Sequence, residues 1–248
     1  MIKRYAFALA FFIVAVFVLN FFSFKAFSIS EQERETAQIA RVIDGDTLKL
    51  SDGRTVRLLN INSPEKGTRG ANLSAEFLRS FENKTIELEI TGTDKYKRNL
   101  ARIYTPNYIN LEIVEKGLAS KFLVQESELK KFSKAEESAI KNSLGIWEKS
   151  GYSGCFGTFI DKINEELKIK NKCSEINLLG WTIKDESRKI YTFKNLTIGM
   201  ITLHSGSGSD NSTDIFWNSR GDIWNNDRDS SYLFDSSGGI AQYESYGY

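Results

Sequence analysis

The chain of 248 residues contains one histidine and two cysteines. That scarcity excludes several hydrolytic chemistries. A zinc site built on several imidazoles or thiolates, a histidine general base and a Ser-His-Asp triad all need residues that are missing at any workable number. The lone histidine, His204, sits in a Ser/Gly-rich stretch and reads as structural or solvated. A general base must therefore come from Asp, Glu, Lys or Tyr. Charge of one sign is lacking too, because the formal net charge is only +1, and no global excess marks a polyanion binder. The distribution is less even: residues 41–150 carry 19 Lys+Arg against 16 Asp+Glu, and residues 175–248 carry 6 against 10. A 41% apolar and 26% charged composition is that of a globular chain, long enough for one large or two ordinary domains.

One long apolar run is present. Lys3 and Arg4 precede an almost unbroken stretch from Tyr5 to Phe24, interrupted by Asn20 and Ser23. Its length suits a spanning helix better than a short signal-peptide core. The positive-inside rule puts Lys3 and Arg4 in the cytoplasm and everything after Lys25 outside. Two outcomes fit residues 1–28: an uncleaved signal anchor, or a signal peptide cut near Ala26-Phe27-Ser28. Either exports the remainder, as a membrane-anchored extracellular protein or a secreted one. In an exported chain Cys155 and Cys173 are expected as a disulfide rather than as two free thiols.

Three short blocks carry the chemistry. They are Val42-Ile43-Asp44-Gly45-Asp46-Thr47, then Arg57-Leu58-Leu59-Asn60-Ile61-Asn62-Ser63-Pro64-Glu65, then Asp94-Lys95-Tyr96-Lys97-Arg98. Alone, each has a plain structural explanation. Asp-Gly-Asp suits a tight turn, Arg57 could be a solvated strand end, and Ser63-Pro64-Glu65 could open a helix or turn. Together they supply the two kinds of group that phosphodiester hydrolysis needs. Asp46 and Glu65 offer hard oxygen ligands and a carboxylate base, ionised at neutral pH without tuning. Arg57 and Arg98 offer fixed charge for a pentacoordinate phosphorus. Oxygen ligands without imidazole or thiolate favour Ca²⁺ or Mg²⁺.

In order and spacing these blocks resemble the staphylococcal nuclease (thermonuclease) family. The resemblance implies an exported nuclease that hydrolyses DNA, RNA or both and leaves 3′-phosphate ends. It implies Ca²⁺ as cofactor, held by two aspartates and a backbone carbonyl. Asp46 matches the first aspartate and Ser63 the carbonyl, but the second aspartate position is Asn62. An amide oxygen can ligate Ca²⁺, with one formal charge fewer and a lower expected affinity; Asp44 lies near enough to compensate or simply to shape the turn. The implied catalytic residues are Glu65 as base and Arg57 and Arg98 as clamps on the phosphate oxygens. The family's base-stacking tyrosines are missing from Lys121-Phe122-Leu123-Val124-Gln125, so Phe122 and Tyr96 remain as stacking candidates. The Asn62 departure also permits a second reading, a catalytically weakened barrel that only binds nucleic acid or protein.

Between 38 and 150 the periodicities predict strands at 38–44, 47–51 and 54–61, a helix around Leu73–Phe81, strands at Thr85–Ile90 and Leu100–Tyr104, and helices at Leu111–Leu118 and Glu128–Trp147. In the last helix Leu129, Phe132, Ala135, Ala139, Ile140 and Leu144 form a stripe read as core. This order fits the oligonucleotide-binding (OB-fold) barrel of the nuclease family. Residues 151–173 read as a linker with a polar, helix-like stretch at Thr158–Lys170. Residues 174–248 turn to short β segments with Ser/Gly/Asn/Asp turns. The Leu179-Gly180-Trp181 strand, the Gly206-Ser207-Gly208 turn and Trp224-Asn225-Asn226-Asp227 before Tyr232-Leu233 resemble the lamin tail domain, which implies an immunoglobulin-like β-sandwich. Trp181, Trp217 and Trp224 are expected as packing residues, and Asp210, Asp214, Asp227 and Asp229 match no calcium loop. The expected fold is thus mostly β with helices: a membrane helix, an OB-fold barrel and a β-sandwich whose ligand the sequence does not name.

Overall fold

The computed structural model describes residues 34–248. The apolar N-terminal segment, and with it the expected membrane helix, lies outside the described residues. The alternating segments after it form strands β1 (Glu35–Val42), β2 (Thr47–Leu50), β3 (Thr55–Leu58), β4 (Ile61–Asn62), β5 (Thr85–Thr93), β6 (Asn99–Tyr104) and β7 (Ser120–Lys121). Five of them close into a barrel in the order β1-β2-β3-β6-β5, and β4 pairs separately with β7. β1 with β2, β2 with β3 and β5 with β6 pair antiparallel, and β3 with β6 runs parallel. Leu48, Leu50, Val56, Leu58, Leu88 and Ile103 are buried in its core, every second residue of each strand facing inward.

Among the described residues three α-helices flank the barrel: α1 (Ala71–Arg79), α2 (Ile109–Glu115) and α3 (Leu129–Lys141). The helix expected to run on to Trp147 stops at Lys141. Ser143 takes a left-handed φ of 57°, its N–H bonds the carbonyl of Ile140, and that of Leu144 bonds the carbonyl of Ala139. That is a Schellman termination. Past it Leu144 leaves the expected apolar stripe and is 39% exposed.

The expected linker is also revised. Residues 156–171 form a hairpin, β8 (Phe156–Asp161) and β9 (Glu166–Asn171), not a helix-like connection. Leu167 and Ile169 are buried while Lys168 and Lys170 are exposed, a period of two that suits a strand. The remaining strands are β10 (Thr182–Lys184), β11 (Ile190–Thr192), β12 (Met200–His204), β13 (Asp214–Phe216), β14 (Asp229–Phe234) and β15 (Ile240–Tyr246). They form two four-stranded sheets, β11-β10-β14-β15 and β13-β12-β9-β8, around one core with Leu167, Ile169, Ile183, Leu203 and Leu233. Trp181 and Trp224 are buried in this core and Trp217 packs against it. Cys155 and Cys173 form a disulfide with Cα atoms 5.2 Å apart. It joins the open end of the β8–β9 hairpin, so it staples the sandwich to itself rather than to the barrel.

Barrel and sandwich belong to one compact unit, residues 36–248. Their contact is built around Lys121 of β7 and Glu136 of α3, whose side chains meet at 2.6 Å with 0% exposure each. The ammonium also donates to Ser230 Oγ at 2.7 Å and Tyr243 Oη at 3.1 Å. Tyr232 and Tyr243 donate to the Glu136 carboxylate at 3.1 and 3.2 Å. Trp147 stacks on Tyr232 with ring centroids 5.2 Å apart. Breaking a buried pair from one side strands a charge and costs about 3–5 kcal/mol. Glu136→Gln or Lys121→Met is therefore expected to cost that much in urea unfolding. The double variant Lys121→Met/Glu136→Gln should cost clearly less than the sum of the two single losses; additive losses would mean the pair is not coupled.

Candidate active site

Asp46 leaves the β1–β2 turn, and the turn is tight for a reason. A Cβ on Gly45 would lie 2.4 Å from the Cβ of Ser74 on α1 and 2.8 Å from that of Ser63. Asp44 accepts the Asp46 N–H on Oδ1 at 3.0 Å, so its carboxylate shapes this turn. Asp46 itself has all four lone-pair positions taken. Oδ1 faces Arg57 Nε at 3.1 Å and accepts Thr47 Oγ1 at 2.9 Å. Oδ2 accepts the Ser63 N–H and Ser63 Oγ, each at 2.9 Å. Burial works to raise the Asp46 pKa, but the Arg57 charge and the Ser63 hydrogen bonds outweigh it and hold the carboxyl below its ordinary value.

Arg57, from β3, is 7% exposed. Besides Asp46 it donates to the Leu58 carbonyl at 2.5 Å, the Ile61 carbonyl at 2.8 Å and Asn62 Oδ1 at 3.1 Å. Four of its five N–H groups thus face protein oxygens. Burial lowers its pKa, Asp46 opposes that, and Arg188 and Arg98 reinforce it. Arg98 reaches the cluster through Thr47: its Nη1 lies 3.4 Å from Thr47 Oγ1. It is oriented by Asp94 at 2.7 Å, and its guanidinium sits 5.4 Å from the Tyr96 ring. Tyr96 is 68% exposed. Phe122 is half-buried, with its N–H on the Asn60 carbonyl.

The structure thus gathers Asp46, Arg57, Asn62 and Ser63 directly and Arg98 through Thr47. Glu65 joins through a residue the sequence reading did not single out. Arg188, in the β10–β11 turn, lies 2.7 Å from Glu65 Oε1 and donates to the Ser63 carbonyl at 3.0 Å through the same Nη1. The turn is clamped to the barrel. Asn62 Nδ2 approaches the Glu186 carbonyl at 3.4 Å, and the Leu123 N–H donates to Glu186 Oε1 at 3.1 Å. His204 lies elsewhere in the sandwich, between Asp214 at 3.0 Å and Glu166 at 3.4 Å.

The donor set expected to hold Ca²⁺ has the right chemistry, hard oxygens, but in this arrangement it does not fit a cation. The single carboxylate has no lone pair left, while Asn62 Oδ1 and the Ser63 carbonyl already accept guanidinium donors. Among the described residues no group of three or more His, Cys, Asp or Glu is placed to hold a metal ion.

The class so far is a closed five-stranded barrel with a carboxylate–arginine cluster beside its strands. The comparisons give the family. A family model described as staphylococcal nuclease homologue matches residues 55–149. An "Uncharacterized endonuclease" of Haemophilus influenzae is 33% identical over 130 residues, 50% of this chain and 72% of that protein. A protein of the same description from Escherichia coli O157:H7 is 33% identical over 78 residues, 30% of this chain and 51% of its own length. "Endonuclease YncB" of Bacillus subtilis is 30% identical over 145 residues, 50% of this chain and 67% of that protein. The chain belongs to the staphylococcal nuclease homologue family and is a nuclease-class hydrolase.

Glu186 offers a test of the clamp. Burial pushes its carboxyl up to about 7 from 4.5, with Asp229 and Glu136 adding to the rise and Lys121 and a hydrogen bond from Tyr248 opposing it. Its folded-state pKa lies above the unfolded one, so the stability it contributes is complete below about pH 4.5 and is lost as pH rises through about 7. The melting temperature is expected to fall across that window, and Glu186→Gln should flatten the slope. Asp229, raised to about 6 mainly by burial, should keep part of it. An unchanged slope in Glu186→Gln would place the proton elsewhere.

Proposed function

We propose that this chain is an exported endonuclease that hydrolyses phosphodiester bonds of DNA, RNA or both. The observation that carries the reading is the convergence of Asp46, Arg57, Asn62 and Ser63 with Arg98 and Glu65 beside them, on a barrel whose relatives are described as endonucleases. Glu65 is the general base: it is the exposed carboxylate of the group, with a side chain 67% exposed and one cationic partner. It takes a proton from a water as the water oxygen bonds to phosphorus, and the ester bond on the opposite side breaks. Arg98, part exposed, stabilises the equatorial oxygens as charge builds. Arg57 acts chiefly by holding Asp46, Asn62 and the 58–61 backbone in place, with one N–H left for a phosphate. Export rests on the Lys3-Arg4 flank and the apolar run after it, and places the enzyme outside the cell, anchored or released. Against the weakened-barrel alternative stands the exposed Glu65, a carboxylate for which a pure binder has no use.

Protein truncated after the apolar segment is expected to degrade DNA in a gel assay. Glu65→Gln and Arg98→Ala should each lower the rate at least ~10²-fold through loss of the base or of transition-state charge. Wild-type rates in both variants would remove these roles.

Calcium dependence belongs to the same proposal, at the level of the family's chemistry. The arrangement around Asp46 opposes it, so no step is assigned to the ion. If Asn62 occupies a ligand position, Asn62→Asp supplies the second carboxylate and should lower the calcium concentration for half-maximal activity, because ligand charge controls affinity in oxygen sites. An unshifted titration, or activity indifferent to EDTA in both proteins, would show that Asn62 is no ligand.

A further inference from the structure

A cavity of about 150 Å³ lies between barrel and sandwich, with Asn62, Ser63 and Trp147 on one wall and Lys184 and Arg188 on the other. It opens directly beside the catalytic cluster. Its electrostatics are unusual for an empty space inside a fold. Lys184, the last residue of β10, is half-buried, and its ammonium sits 5.3 Å from the Phe234 ring centroid. Among the described residues it has no carboxylate partner. Burial and the neighbouring Arg188 charge both lower its pKa, which is the signature of a cation held in place without a counter-ion.

The two acids on the same wall do not neutralise it. Asp185 accepts the Lys189 N–H at 2.6 Å and the Ser187 hydroxyl at 2.5 Å, and pairs with the Lys189 ammonium at 3.5 Å. Glu186 is engaged by Leu123, Tyr248 and Ser230. Arg188 spends only Nη1 on Glu65 and Ser63. Arg69, also on the cavity wall, is bound to Glu148 and to the Ser237 carbonyl. Two cations beside an apolar wall concentrate positive potential in the space between them. The space is below the roughly 300–1,000 Å³ of pockets that enclose a drug-sized ligand, yet ample for one tetrahedral anion.

We propose that this cavity is a phosphate subsite in which Lys184 and Arg188, both from the sandwich, bind the backbone phosphate adjacent to the one at the catalytic cluster. The proposal rests on the nuclease reading for the source of its ligand. It gives the sandwich a part in substrate binding: the end of β10 and the β10–β11 turn bring two cations that the barrel does not have. It also assigns Arg188 a choice of partners, Glu65 in the free protein and phosphate when a strand is bound.

The test uses protein truncated after the apolar segment, with fluorescence anisotropy of a labelled single-stranded DNA 12-mer in EDTA over a range of salt. Lys184→Met keeps the apolar stem and removes the charge; Lys184→Arg keeps the charge. The expected result is weaker binding for Lys184→Met, uniformly across sequences, with the salt slope reduced by about one, and a wild-type slope for Lys184→Arg. Lys184→Met should melt at or above the wild-type temperature, because an uncompensated charge has left, which separates a binding loss from misfolding. Inorganic phosphate, titrated separately and followed by the Trp147 indole NMR signal, should perturb wild type and leave Lys184→Met unmoved. Equal affinity and slope in wild type and Lys184→Met overturns the subsite, and it does so whether or not DNA is cleaved. An indole response to inorganic phosphate with unchanged DNA binding overturns the strand as its ligand. Lys184-dependent DNA binding without any cleavage by wild type leaves the subsite standing and removes the nuclease reading instead.

Discussion

The Lys121–Glu136 pair is the contact on which the two halves depend. Neither charge reaches solvent, and burying an ion costs several kcal/mol unless its partner and hydrogen bonds are in place. The barrel supplies the two ions, and the sandwich supplies much of what completes their hydrogen bonding: Ser230, Tyr232 and Tyr243. A barrel separated from its sandwich would expose this pair together with Trp147, whose ring is sandwiched against Tyr232 and Phe234. The interface thus combines apolar stacking with a saturated polar centre.

From that interface the active-site geometry follows. β7, which carries Lys121, pairs with β4, which carries Asn62, in the register Ile61 to Lys121 and Asn62 to Ser120. Fixing Lys121 against the sandwich fixes β4, and the loop after β4 carries Ser63 and Glu65. On the other side the β10–β11 turn is held by Asp185 and by the Glu186 N–H on Asp229. Arg188 takes a left-handed φ of 74° at this turn, a conformation with a cost for a residue bearing a Cβ. That cost is tolerated where the side chain is directed onto Glu65 and the Ser63 carbonyl. A distortion at Lys121 or Glu136 would thus be felt at Glu65, although they share no direct contact.

Much of the barrel was legible because its signals are local. Alternation in 47–50 and 54–58, the Asp-Gly-Asp turn and the residue order from Asp46 to Arg98 all lie within about one strand of the structure they specify. The errors have local causes as well. Glu128–Trp147 reads as one helix because its apolar spacing continues past Lys141, and only the left-handed Ser143 breaks it. Glu166-Leu167-Lys168-Ile169-Lys170 alternates as a strand should, yet its polarity equally suits a helical linker. What no local pattern could show is the sandwich's share of the site. Arg188 is 123 positions from Glu65, and Asp185-Glu186-Ser187-Arg188-Lys189 looks like any charged hairpin turn. Glu136 sits on the apolar face of α3, four residues from Phe132, and that anomaly was the one signal that the face meets another surface.

The arrangement around Asp46 then has a definite physical meaning. A carboxylate at an oxygen-ligand site normally keeps lone pairs for its cation. Here two guanidiniums stand where positive charge is wanted: Arg57 on Asp46 and Asn62, and Arg188 on the Ser63 carbonyl and Glu65. Asn62 Oδ1 and the Ser63 carbonyl thus accept guanidinium donors, one from each half of the chain. Each of the three arginines has a carboxylate at hand: Arg57 on Asp46, Arg98 on Asp94 and Arg188 on Glu65. Binding a further divalent cation requires a guanidinium to let go, and the anion best suited to draw Arg188 away from Glu65 is the one the enzyme family cleaves. An anion that drew the Arg188 Nη1 to itself would release Glu65.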